Sequence, residues 1–178
     1  MATGFLTTLA NARIVAERDF LVIGGYAVNA HRYLRFTHDL DLLIRRDQKD
    51  FWKKLALDYG YTLFCERENF LQLTPPSAVE IPVDFMLVND HTFQTLYAEA
   101  IEGLIGGVAV KHPSLKHLIA LKLHVVKQEL PHRHLRDFYD VLELIRVNKL
   151  NVSTKDFQEF CEKHGNAKLY EAIVRGTK

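Results

Sequence analysis

The stretch Leu21–Ile44, LVIGGYAVNAHRYLRFTHDLDLLI, constrains the fold of this chain more than any other part of it. The apolar run Phe20–Ile23 predicts a buried strand, which ends at Gly24 and Gly25. Residues 26–34 have helical character, so the free N–H groups and the positive dipole end of a helix would face the glycine turn. Glycines also let the backbone approach a ligand closely. The stretch therefore predicts a binding site for phosphate oxygens.

The same stretch contains a pair of carboxylates, Asp39 and Asp41, inside an apolar run. The two residues are two positions apart in a strand-like segment, so their side chains point to the same face. Two adjacent carboxylates repel each other unless a cation lies between them. A phosphate site and a carboxylate pair on neighbouring elements together predict a site for a metal-bound nucleoside triphosphate.

Each of these features has a simpler interpretation when it is taken alone. A Gly-Gly pair is more often a turn than a phosphate site, and an Asp-x-Asp pair is more often the solvated edge of a strand. The two features are much less common together in this order and at this spacing. Their combination favours a functional site.

Length and composition limit the classes of protein that need to be considered. The 178 residues suffice for a single domain over 1–178, with an α/β core at about 1–110 and a helical portion at about 111–178. Hydrophobic residues make up 48% and charged residues 25%, and the net charge is +1, so composition gives no argument for nucleic acid binding. Cys65 and Cys161 are too few for a disulfide framework or a zinc site and indicate a cytoplasmic protein. No apolar run is long enough for a membrane span.

Hydrophobic periodicity predicts alternating helices and strands, with a mainly helical final third. The second Gly-Gly pair, at Gly106 and Gly107, predicts a turn, and Pro131 predicts a break between two helices. Further strands are predicted at residues 61–65, 70–73, 79–88 and 108–110, and helices at 3–17, 51–59, 93–101, 115–128 and 135–145 and after 153.

Two charged residues lie in unexpectedly apolar surroundings. Asp84 is inside the predicted strand VEIPVDFMLV, where an unpaired buried carboxylate is costly; the alternative is an edge strand with Asp84 facing water. Lys122 shares its helix face with apolar residues only, so it either extends its amine to solvent or delivers its charge into an enclosed site. Lys122→Met is expected to be neutral or stabilising for the ligand-free protein in the first case and stabilising in the second. The neighbours on the helix face of Lys122 are Leu115, Leu118, Ile119, Val125 and Val126.

The central stretch resembles the nucleotidyltransferase (polymerase-beta-like) superfamily. The pattern is an apolar residue and two glycines at 23–25, a gap over 26–38, and then the alternation Asp39-Leu40-Asp41-Leu42. The lead-in Arg35-x-Thr37-x-Asp39 is most similar to the toxin-type branch, the AbiEii-like nucleotidyltransferases. The resemblance covers roughly residues 20–146. It implies an α/β (α+β) fold, a nucleotidyltransferase-like mixed sheet flanked by helices with a C-terminal helical portion.

The resemblance also implies an activity and roles for particular residues. The activity is Mg²⁺-dependent transfer of a nucleoside monophosphate from an NTP, such as ATP, to an acceptor hydroxyl, with release of pyrophosphate. Arg136-Asp137-x-x-Asp140 is similar to the basic-Asp-x-x-Asp segment of the branch, which gives Asp137 a catalytic or lysine-orienting role; Asp140 is instead interpretable as a charge that favours the helix dipole. The implied catalytic residues are Asp39, Asp41, Lys122 and Asp137; the implied nucleotide-binding residues are Gly24, Gly25, Arg35, Thr37 and Lys122; and the implied ligands of two Mg²⁺ ions are Asp39, Asp41 and Asp84.

The acceptor and the partners stay open at the level of sequence. Toxin-type relatives imply an RNA acceptor such as tRNA, or a protein, and a cognate antitoxin. Three alternatives are a small-molecule (antibiotic) nucleotidyltransferase, a degenerate nucleotide- or partner-binding module without turnover, and an unrelated α/β scaffold. The presence of Asp39, Asp41, Lys122 and Asp137 together argues against a degenerate site.

Overall fold

The computed structural model describes residues 4–128 and 134–177, and these form two compact units. The sheet unit consists of Met1–Ala30 and Arg35–Ser114, and the helical unit consists of His31–Leu34 and Leu115–Lys178. The single domain over 1–178 stays a prediction, and the break at Pro131 lies outside the described residues.

The sheet unit alternates helices with strands, as the periodicity predicts. A short 3₁₀ turn, Arg46–Gln48, joins the second strand to the third helix. The elements are α1 (Gly4–Ala16), β1 (Leu21–Val22), α2 (Gly24–Ala30), β2 (Leu40–Arg45), α3 (Lys49–Tyr59), β3 (Thr62–Arg67), β4 (Phe70–Thr74), β5 (Val83–Val88), α4 (Asp90–Ala98), β6 (Ile101–Ile105) and β7 (Val108–His112).

Five of the strands form a mixed sheet in the order β1-β2-β5-β4-β3. The β2 and β5 strands are parallel, and the other neighbours are antiparallel. A parallel pair requires a long connection, which α3 and the β3–β4 hairpin supply here. The β6 and β7 strands form a separate two-stranded sheet.

Side chains alternate along β2 and β5, so that one face of the central sheet packs in the main hydrophobic core and the opposite face carries Asp41 and Asp84 beside the buried Leu43. Leu40, Leu42 and Ile44 of β2 belong to the main hydrophobic core. Side chains from α1 and α3, including Phe5 and Trp52, cover this face. The intervening odd-numbered positions of β2 point the other way because strand side chains alternate. The packing of the core therefore dictates that Asp41 faces away from it.

Several boundaries differ from the predictions; the strand predicted over 79–88, for example, begins at Val83. The helix predicted over 26–34 begins at Gly24 and ends at Ala30, and Arg32 then has a left-handed φ of 73°. Residues 101–105 form a strand, although Ile101 was predicted to extend a helix. This strand pairs with β7 across Gly106 and Gly107, whose φ values of 58° and 88° fit a tight hairpin turn and confirm the predicted turn there.

The helical unit consists of four helices that pack against one another. The first, α5, contacts the second and the third, and the fourth contacts the second and the third. Thr154 and Asn166 cap the last two helices, each accepting a hydrogen bond from a backbone N–H of the first turn. Across the described residues, each helix is too short or too polar to cross a bilayer. The helices are α5 (Leu115–Lys127), α6 (His134–Val147), α7 (Lys155–His164) and α8 (Ala167–Gly176).

Candidate functional site

Three carboxylates meet on the face of the central sheet that lies opposite the main core. Asp39 directly precedes β2, Asp41 lies in β2, and Asp84 lies opposite Asp41 in the parallel register of β2 and β5. One oxygen from each of the three lies within 4.8 Å of the others. Asp84 is only 3% exposed and sits on an interior strand, so the alternative that placed it on a solvent-facing edge is wrong.

The three carboxylates form a suitable donor set for a hard divalent cation. At an effective dielectric constant of 20, two ionised carboxylates at this separation repel by about 3 kcal/mol. A cation between them removes this repulsion, and Mg²⁺ prefers carboxylate oxygen ligands. In the part of the chain that the structure describes, no second group of three acidic, histidine or cysteine side chains is this close.

The glycine pair packs directly against side chains of this site. Gly24 has a φ of +61°, and a Cβ atom on it would lie 2.5 Å from Cγ of Asp41. A Cβ atom on Gly25 would lie 2.6 Å from Cβ of Thr37 and 3.2 Å from Nη1 of Arg35. Both positions thus require glycine for space, and Gly24 also requires it for its positive φ. The pair is more than a turn, because it lets the backbone at the start of α2 reach the carboxylates.

A network of hydrogen bonds fixes the segment that leads into β2. The Asn29 side chain donates to the carbonyl of Arg35 and accepts from its N–H, both at 2.9 Å. The Thr37 hydroxyl donates to Oδ1 of Asp39 at 3.0 Å. Nη1 of Arg35 donates to the carbonyl of Phe36 at 3.1 Å, which holds the guanidinium beside Gly25. The structure therefore brings the predicted Arg35 and Thr37 together with the glycine pair and Asp39.

Sequence reasoning missed three residues of this site. Asn29 anchors Arg35, as described above. Tyr26 is half-buried, and burial together with the negative charge of Asp39 raises the pKa of its hydroxyl. Gln72 lies opposite Asp84 in β4 and donates to its Oδ2 at 3.5 Å. The position of Tyr26 directly after the glycine pair could have identified it, whereas Gln72 becomes apparent only when the strand register is known.

A second ionic cluster lies in the helical unit. Lys122 of α5 is only 6% exposed, and its Nζ lies 2.5 Å from Oδ1 of Asp137 and 2.7 Å from Oδ2 of Asp140. Lys122 therefore does not extend its amine into solvent. Asp140 is a second buried partner of Lys122, so its interpretation as a simple helix charge is wrong. Two carboxylates offset the cost of burying the ammonium group.

The architecture of the chain is that of a nucleotidyltransferase. ANT(2″)-Ia, solved in complex with adenylyl-2″-tobramycin, superimposes with a TM-score of 0.60 at 13% identity, over 96% of this chain and 95% of that chain. An antigenic nucleotidyltransferase-like protein from Paracoccidioides brasiliensis gives 0.58 at 16% identity, over 96% and 88%. The lincomycin-bound lincosamide antibiotic adenylyltransferase LnuA gives 0.55 at 14% identity, over 80% and 96%. At these identities the likeness shows the fold alone, and it confirms the predicted fold class.

A family model identifies the family of the chain more specifically than the fold does. Residues 8–176 match the family described as nucleotidyl transferase AbiEii toxin, Type IV TA system. The chain therefore belongs to the AbiEii family of toxin–antitoxin nucleotidyltransferases, which confirms the predicted family and enzyme class. Among curated proteins, none matches the chain significantly.

Proposed function

We propose that the chain transfers a nucleoside monophosphate from an Mg²⁺-bound NTP to an acceptor hydroxyl and releases pyrophosphate. The observation that carries the proposal is the convergence of Asp39, Asp41 and Asp84 on one another, with Asp41 directly against Gly24. The three carboxylates would hold two Mg²⁺ ions, which supply charge neutralisation for the triphosphate and a lowered pKa for the acceptor hydroxyl. The hydroxyl attacks the α-phosphorus in line, and pyrophosphate leaves from the opposite side.

The residues of the chain act mainly by positioning and by charge. The backbone N–H groups at Gly24 and Gly25 contact phosphate oxygens, since the first N–H groups of a helix lack intrahelical acceptors. Arg35, which lies beside Gly25, balances the negative charge of the triphosphate. Thr37 orients Asp39 through its hydroxyl, a bond that the structure contains.

We also propose a role for the buried cluster of the helical unit. Lys122 binds the triphosphate, and Asp137 either orients the Lys122 ammonium group or accepts the proton of the acceptor hydroxyl. The 2.5 Å contact between Lys122 and Asp137 supports the orienting role. Asp140 adds a second fixed contact, which narrows the positions open to the ammonium group.

Membership of the AbiEii family suggests the first candidate for the acceptor. As a member of a toxin–antitoxin family, the chain is proposed to modify RNA, such as tRNA, or a protein, and to pair with a cognate antitoxin. The structural likeness favours a second candidate, a small-molecule acceptor, because ANT(2″)-Ia was solved with an adenylylated tobramycin and LnuA with lincomycin. A degenerate module without turnover is disfavoured because all three carboxylates are in place.

The test is a transfer assay with each of the four α-³²P-labelled NTPs and Mg²⁺. Total cellular RNA, protein lysate, tobramycin and lincomycin are offered separately as acceptors. Label on one acceptor, with equimolar pyrophosphate and no transfer in EDTA, supports the proposal and identifies the acceptor class. Binding of Mg²⁺–NTP without label transfer to any of these acceptors contradicts it.

A further inference from the structure

A row of three polar side chains crosses the central sheet on the face opposite the main core. Asp84 of β5 lies opposite Asp41 of β2 on one side and opposite Gln72 of β4 on the other. Residues directly opposite each other in an antiparallel pair share one face, with their Cβ atoms about 4.5–5.5 Å apart. Gln72 is therefore the neighbour of Asp84 on the side away from Asp41.

Asp84 is the most deeply buried of the three carboxylates. It is only 3% exposed, whereas Asp39 and Asp41 are partly buried. Burial disfavours a carboxylate that lacks hydrogen bonds, and the negative charge of Asp41 disfavours it further. Gln72 acts in the opposite direction, because its Nε2 donates a long hydrogen bond of 3.5 Å to Oδ2 of Asp84. The two neighbours of Asp84 in the row thus have opposing effects on its charge.

A neutral amide suits this position better than a charged donor would. A lysine or arginine opposite Asp84 would neutralise the carboxylate and would repel a metal ion beside it. The amide of Gln72 instead holds one carboxylate oxygen and leaves the net charge of the three carboxylates available for a cation. Donors of this kind fix the orientation of carboxylates that bind metals.

We propose that Gln72 is a positioning residue of the metal site. Its amide holds the Asp84 carboxylate in the orientation in which Asp84 joins Asp39 and Asp41 around a divalent cation. The inference rests on the proposed function, because it adds a residue to the same metal site. Gln72 does not touch the metal or the substrate in this role, so its removal weakens metal binding without removing a ligand.

The test compares Gln72→Met, which keeps the length of the side chain but lacks the donor, with a matched control, Gln94→Met. Gln94 of α4 donates the same kind of bond, also 3.5 Å long, to Oδ1 of Asp90. Asp90 contacts Arg45, the last residue of β2, whereas Asp41 lies near the start of that strand. The probe is Mn²⁺ alone, which prefers the same oxygen ligands as Mg²⁺. Free Mn²⁺ is measured by electron paramagnetic resonance, after thermal melting in EDTA has shown that each variant is folded.

The expected result is that Gln72→Met binds Mn²⁺ roughly 10-fold more weakly than the wild type, at the lower end of the range for such outer partners because the bond is long. Gln94→Met should bind Mn²⁺ like the wild type. A merely structural role of Gln72 would lower the urea midpoint and leave the Kd of the folded protein for Mn²⁺ unchanged. Equal Mn²⁺ affinity of Gln72→Met and the wild type therefore overturns the inference.

A second variant, Gln72→Glu, keeps the shape of the side chain and replaces the donor with a carboxylate. Like charges directly opposite each other in a sheet are destabilising, so this variant should be less stable than the wild type in EDTA. Saturating Mg²⁺ should reduce the difference in urea midpoint, because the cation screens the added charge. A difference that is the same in EDTA and in Mg²⁺ would show that position 72 does not act on the metal site. This comparison decides the question even if Gln72→Met does not fold.

The proposed function fails separately from this inference. A wild type that binds Mn²⁺ in a Gln72-dependent manner but transfers no nucleotide would keep the positioning role of Gln72 and lose the transferase. A wild type that transfers nucleotide, with the same Mn²⁺ affinity in Gln72→Met, would keep the transferase and lose the positioning role. A wild type that binds no Mn²⁺ contradicts both the metal site and the role of Gln72.

Discussion

At the scale of single residues, the site depends on the missing side chains of its glycines as much as on the side chains that it contains. Gly24 has no side chain where one would strike Asp41, and its φ lies in the left-handed region. The glycine pair and the carboxylates were both identifiable from sequence, because their spacing is unusual. Their mutual contact was not, because it depends on the point at which α2 begins.

Gly24→Ala is expected to destabilise the protein by about 1–2 kcal/mol through its backbone conformation and to abolish transfer by displacing Asp41. Gly107→Ala is the matched control, since Gly107 also has a positive φ, of 88°, but a Cβ atom there would meet nothing within 4 Å. Both variants should lose stability in urea unfolding, and Gly24→Ala should lose more because of its clash with Asp41, whereas only Gly24→Ala should lose pyrophosphate release. Equal activity of the two variants would contradict the steric argument.

Asp41→Asn is expected to raise the free energy of unfolding in EDTA by about 1–2 kcal/mol, because it removes one charge from the three-carboxylate cluster. The same variant should lose both transfer and the stabilisation by Mg²⁺. Asp58→Asn serves as the control, because Asp58 forms only an exposed helix pair with Lys54, which contributes little. The measurement is urea unfolding with and without Mg²⁺; a variant that Mg²⁺ still stabilises would remove Asp41 from the metal site.

At the scale of secondary-structure elements, periodicity located most helices and strands but could not supply their register. The pairing of β2 with β5 places Asp84 opposite Asp41, and no local pattern encodes a partner more than forty residues away. Strand β6 was missed because Ile101 continues the apolar spacing of α4. Pairing with β7 decides its conformation instead, as tertiary context commonly does for short apolar segments.

The contact between α5 and α6 reverses one expectation from the sequence. Lys122→Met was expected to be neutral or stabilising for the ligand-free protein, because the neighbours of Lys122 on α5 are all apolar. The structure pairs Lys122 with Asp137 and Asp140, so the substitution leaves two buried carboxylates without their cation. We now expect a loss of about 3–5 kcal/mol.

Urea unfolding measures this loss, and the triple variant Lys122→Met, Asp137→Asn, Asp140→Asn should recover much of it because no buried charge remains. A single Lys122→Met variant that is as stable as the wild type would show that the two ion pairs contribute nothing net to folding.

At the scale of the whole molecule, the charged residues that are proposed to act in transfer lie in two compact units. The sheet unit contains the three carboxylates, the glycine pair, Arg35 and Thr37, and the helical unit contains Lys122 with its two aspartates. The glycine pair, Asp39 and Asp41 were predicted as one group because they lie on adjacent elements, whereas Asp84 was assigned through the family resemblance because β5 is distant from β2 in the sequence. The apolar surroundings of Lys122 on α5 could not reveal its aspartate partners, because these come from α6.

The proposal that Lys122 binds the triphosphate predicts an effect on ATP binding, which can be measured separately from the effect of the substitution on stability. Lys122→Met should weaken ATP binding roughly 10- to 100-fold, the range expected for a lost hydrogen bond from a charged donor, while adenosine binding changes little. Lys127→Met is the control, because Lys127 lies on the same helix and is exposed. Affinities are measured by calorimetry in Mg²⁺, well below the melting temperature of each variant. If Lys122→Met weakens ATP and adenosine equally, the residue acts only through the fold, and the triphosphate must then be neutralised by the metal ions and Arg35 without it.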